Sequence, residues 1–72
     1  MGKTLEMVTL IYRNKMDRLY SEHKQNLEKL LIEYYDNQTE YIKEYTKEVD
    51  HYIKMCNDLR SEFVIDSINA LV

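Results

Sequence analysis

The chain has no proline and no tryptophan, and only one glycine and one cysteine among 72 residues. Without proline or an internal glycine, nothing between Lys3 and Val72 compels a helix to break. The lone Cys56 excludes an intramolecular disulfide scaffold and fits a reducing compartment. No run approaches the ~18 consecutive apolar residues of a membrane span, and no charged-then-apolar leader is present. The expectation is a cytoplasmic protein without membrane contact. A basic excess is missing too: 10 Lys+Arg stand against 13 Asp+Glu, a net charge of -3. Direct nucleic-acid binding normally requires a basic stripe, so it is not expected.

The same scarcity removes most chemistry. A phosphate-cradling loop needs several glycines, and Gly2 stands alone. There is no C-x-x-C, no H-E-x-x-H and no calcium loop. The closest approach to a metal motif is Glu48 with His51, the Glu-x-x-His half-site of carboxylate-bridged helical bundles. At 100° per residue, Glu48 falls on the edge of the apolar face and His51 turns toward solvent, so a solvated charged face is the better reading. No catalytic residue, no metal, no cofactor and no small-molecule substrate is expected.

What the chain does contain is helical periodicity. Hydrophobic residues make up 44%, too many for a disordered segment. One stripe runs through Leu5, Val8, Tyr12, Met16, Leu19 or Tyr20, His23, Leu27, Leu30 and Tyr34. A second runs through Ile42, Tyr45, Val49, Tyr52, Cys56, Leu59 and Phe63. Both advance in steps of three and four, the spacing of a helix-packing seam. Between them, Tyr35-Asp36-Asn37-Gln38-Thr39 is the one stretch of poor helix formers. Asn37 followed by Glu40 reads as a capping box, with Asn37 accepting from a backbone N–H and Glu40 reaching back. Thr4 caps the first helix in a similar way. The fold expected is all-α: an antiparallel hairpin with helices at about 4–35 and 38–70, each ~48 Å long, in a single domain over 1–72. The competing picture is one continuous helix of ~105 Å.

Charge supports folding back. Residues 1–30 carry six bases and four acids, whereas residues 31–72 carry four bases and nine acids, so the halves differ in sign. With a turn near 37, residues whose numbers sum to about 75 come opposite one another. Tyr12 then meets Phe63, and His23 meets Tyr52, to which its ring could hydrogen-bond. Arg13 falls near Glu62 and Lys24 near Asp50.

Three surfaces stand out as candidates for binding. The first is the open end of the hairpin. Met7, Leu10 and Ile11 lie roughly 140–180° from the first stripe, and Val64, Ile65, Ile68, Leu71 and Val72 centre about 130° from the second. A lone hairpin cannot cover both faces, and exposed apolar patches of this kind mark contact sites. The second is a tyrosine tip at the turn, Tyr34, Tyr35, Tyr41 and Tyr45, since tyrosine combines contact area with a hydroxyl that stays wet. The third is an acidic face on the second helix: Glu40, Glu44, Glu48, Asp58 and Glu62. The function expected is a non-enzymatic protein–protein interaction module that self-associates, a homodimer building a four-helix bundle or coiled coil. The alternative is a small acidic inhibitor or regulator of the phage or mobile-element type, docking on a larger, nucleic-acid-binding protein.

Overall fold

The computed structural model describes residues 3–72. Two helices account for nearly all of them: α1, Leu5–Glu33, and α2, Gln38–Leu71. They pack against each other as a hairpin, 54 × 15 × 11 Å in principal extents. The first helix stops two residues short of the expected end. Tyr34 donates its N–H back to Leu30 and takes φ -109, ψ 29, outside the helical region. Asn37 then restarts the chain, its Oδ1 accepting from the Glu40 N–H at 3.2 Å. The capping box is thus half formed. Glu40 was expected to take the Asn37 N–H, but that donor already bonds the Tyr34 carbonyl at 3.0 Å. Thr4 caps α1 as expected, its Oγ1 accepting from the Met7 N–H at 3.2 Å.

Helix register follows the sum near 75. Tyr12 stacks on Phe63 with centroids 4.4 Å apart, and His23 on Tyr52 at 4.0 Å with rings only 9° from parallel. The ionic partners differ from expectation. Lys15 rather than Arg13 reaches Glu62, at 2.7 Å. Lys15 lies three residues after Tyr12 and four before Leu19, which puts it on the flank of the seam. Arg13 is turned ~100° away from Tyr12, out of reach. Lys24 and Asp50 are both exposed. The seam on α2 also starts later than the apolar stripe suggested. Ile42 and Tyr45 are exposed, because Leu30 and Tyr34 border clefts lined by Glu44, Glu48 and Tyr41 instead.

Burial is shallow. Val8, at 3% exposure, is the only buried residue among those described; most of the remaining seam is half-buried, whereas Leu5 and Tyr20, expected on the first stripe, are exposed. A single helix–helix layer covers one stripe per helix and leaves the opposite faces in water. The chain exposes 6046 Å², whereas a compact protein of its 8.8 kDa would expose roughly 4,800 Å².

Candidate interaction surface

The seam keeps one phase along the whole of α2. After Tyr52, Cys56, Leu59 and Phe63, the inward positions are Asp66, Ser67 and Ala70, all half-buried. The apolar pattern leaves this phase while the helix does not. Consequently Val64, Ile65, Ile68, Leu71 and Val72 all stand exposed, Ile65 at 58%, Ile68 at 55% and Leu71 at 73%. Polar groups sit inside and aliphatic ones outside. The Ser67 hydroxyl is buried with no hydrogen-bond partner among the described residues, an arrangement that costs about 1–3 kcal/mol where water cannot reach.

On α1, Met7 and Leu10 are exposed as expected. They line a shallow groove with Leu5, Glu6, Thr9 and Arg13. Ile11 corrects the sequence reading. It is half-buried and borders the interhelix groove with Val8, Tyr12, Leu59 and Phe63. It follows Val8 by three residues, so the inward tilt of Val8 carries it toward the seam. At ~100° per residue, Met7 and Leu10 fall ~140–160° from the α1 seam, and the α2 cluster centres ~150° from its own. The two apolar strips therefore occupy opposite outer sides of the hairpin rather than one continuous end.

The tyrosine tip is divided. Tyr35 is exposed at 85%, while Tyr34 and Tyr41 are half-buried and share a cleft with Leu31, Asp36 and Gln38. Tyr41 and Tyr45 form a tilted pair, centroids 5.8 Å apart. The Tyr34 phenol is held above its ordinary value, first by the charge of Glu33, then by burial and by Glu44 and Glu40.

Much of the acidic face turns out to be engaged within the hairpin. Glu48 Oε1 accepts from the His23 Nδ1–H at 3.1 Å and from the Asn26 amide at 3.2 Å, while His23 stacks on Tyr52. The His23 side chain thus lies flat on Tyr52 and bonds Glu48, where a hydrogen bond to the tyrosine was expected. The reason is geometric, because parallel rings in contact place the phenol hydroxyl outside the plane of the imidazole N–H. Glu44 pairs with Lys47 at 3.2 Å and Glu62 with Lys15. Glu40 is half-buried, and Asp58 is exposed. His51 is exposed beside Glu48, and no cluster of three or more His, Cys, Asp or Glu able to hold a metal occurs among the described residues. Among the described residues, no helix is long and apolar enough to cross a membrane. Cys56 is half-buried on the seam. Hydrogen bonding with Cys56 is the main influence raising the Tyr52 phenol, followed by burial.

Sequence reasoning missed Asn26, Lys15, Asp66 and Ser67. The last two were within reach: counting three and four onward from Phe63 lands on Asp66 and Ser67. Compared with known proteins, no family model, no curated protein and no solved structure matches this chain.

Proposed function

We propose that this protein is a non-enzymatic assembly module that self-associates through helix packing, a dimer bringing four helices together. One observation carries the reading: the end of α2 turns Asp66 and Ser67 inward and presents five aliphatic side chains to water. Burying an exposed aliphatic side chain contributes about 1.5–3 kcal/mol, so a cluster of five offsets a substantial part of the free energy lost on association. A large total surface for the mass points the same way. The acidic-docking alternative is less favoured, because Glu44, Glu48 and Glu62 already have partners within the hairpin.

Sedimentation velocity at micromolar to hundred-micromolar concentration tests the proposal. Wild type is expected to shift from monomer to dimer over that range, with helicity rising alongside. Ile68→Asp places a charge in the contact and should stay monomeric. A wild type that stays monomeric throughout overturns self-association and leaves the apolar strip to another protein.

A further inference from the structure

We propose that two copies meet tail to tail and antiparallel through the outer face of the last turns of α2, about a two-fold axis beside Ile68. The inference rests on the self-association reading and specifies its surface. A two-fold contact requires a patch complementary to itself, in which residue i meets j and j meets i. The sequence of the exposed strip has that symmetry. Val64, Ile65, Ile68, Leu71 and Val72 are spaced one, three, three and one residues apart, the same read in either direction. In an antiparallel pair centred on Ile68, Val64 faces Val72 of the second copy, Ile65 faces Leu71, and Ile68 faces itself. Every facing pair is aliphatic. None of the five positions carries a charged side chain.

Electrostatics selects the same geometry. The segment Gln38–Leu71 holds four bases and seven acids, a net of -3. Aligning two such helices in parallel sets each acid near its own copy. Joining them antiparallel at one end sends the acidic lengths in opposite directions, beyond a Debye length of ~10 Å over most of their extent. Area sets the strength. The exposed surface of the five side chains comes to roughly 500–600 Å² per copy, hence about 1,000 Å² in total, the lower limit for a specific interface. A dissociation constant on the order of micromolar is expected rather than nanomolar. The strip on α1 does not suit the same role, since Glu6 and Arg13 border Met7 and Leu10 and it lies on the opposite side of the hairpin.

Single cysteines in a Cys56→Ser background test this, because a disulfide forms only where Cβ atoms come within ~3.5–4.5 Å. Under mild oxidation, Ile68→Cys should convert to covalent dimer at least about ten-fold faster than Leu10→Cys. Mixing Ile65→Cys with Leu71→Cys protein should give the mixed disulfide in preference to either homodimer, which guards against a folding defect in one variant. If sedimentation shows a dimer but position 10 cross-links as fast as position 68, or the 65–71 preference is absent, the tail-to-tail geometry is overturned while self-association stands. If the protein sediments as monomer and neither position cross-links, both proposals fall.

Discussion

The middle of the hairpin and its open end use the same two helices and the same seam, yet they treat polar groups in opposite ways. At the middle, His23, Asn26 and Glu48 meet across the seam, and each finds a partner: two donors converge on one carboxylate oxygen while the imidazole lies against Tyr52. At the open end, Asp66 and Ser67 occupy equivalent inward positions, and the Ser67 hydroxyl has no partner among the described residues. Helix phase is a collective property. It is fixed by the long run from Val49 to Phe63, and the final turns inherit it whatever their own composition prefers. A segment whose apolar residues point away from an inherited seam is composed for a different contact. The middle is a region whose sequence agrees with its own hairpin, and the end is one whose sequence does not.

The largest expected effect lies at the middle. Glu48→Ala leaves the His23 and Asn26 donors half-buried without their acceptor, at a cost of about 1–3 kcal/mol. Glu44→Ala, one turn earlier, removes only an exposed i,i+3 pair with Lys47 and should stay within about 0.5 kcal/mol. Denaturant unfolding of both variants at one fixed protein concentration makes the comparison, since association contributes to apparent stability. Equal costs for the two would mean that the cross-seam cluster does not tie the helices together.

The open end should respond in the other direction. Ser67→Ala deletes an unpartnered buried hydroxyl and substitutes a better helix former, so it is expected to stabilise by about 1 kcal/mol. For a chain of this size that corresponds to a melting temperature roughly 4–8 °C higher. A destabilised Ser67→Ala protein would show that the hydroxyl is satisfied in solution, and the contrast between the two regions would lose its sharpest feature.

How much of this was legible in the sequence follows from the same contrast. Two helices, the break near Asn37 and the pairing of Tyr12 with Phe63 were readable, because each rests on periodicity or on local capping chemistry. The exact bonding of His23 was not. Spacing places an imidazole opposite Tyr52, but whether it stacks on the ring or bonds its hydroxyl depends on the tilt of both side chains, and that is set by packing. Arg13 and Lys15 differ by two positions, and a choice between them needs the seam direction to within a fraction of a turn. Ile11 failed for the opposite reason. An angle of roughly 140–180° from the first stripe suits Met7 and Leu10, but Ile11 lies only ~100° away, and its three-residue spacing from Val8 decides its side. Asp66 and Ser67 carry no hydropathy signal, because past Phe63 the seam's phase continues where its apolar pattern does not.

The smallest effect concerns the ion pair on the flank of the open end. The Lys15 ammonium, first by hydrogen bond and then by charge, holds the Glu62 carboxyl below its ordinary value of 4.5. A depressed folded-state value means the folded chain binds this proton less tightly than the unfolded chain does. The pair therefore contributes above the ordinary value, and its contribution fades as pH falls through the lower, folded one. Both side chains are well exposed, at 44% and 49%, so solvent and salt screen the attraction and the contribution is slight. Because the other carboxylates titrate in the same window, the informative quantity is a difference of differences. The melting-temperature gap between wild type and Lys15→Met, small at pH 7, should narrow as pH falls below 4.5, and at pH 7 it should also narrow in 1 M salt. A gap that narrows neither in acid nor in salt would assign the role of Lys15 to its methylene chain lying against Tyr12 and Phe63, a packing contribution that neither protons nor salt remove.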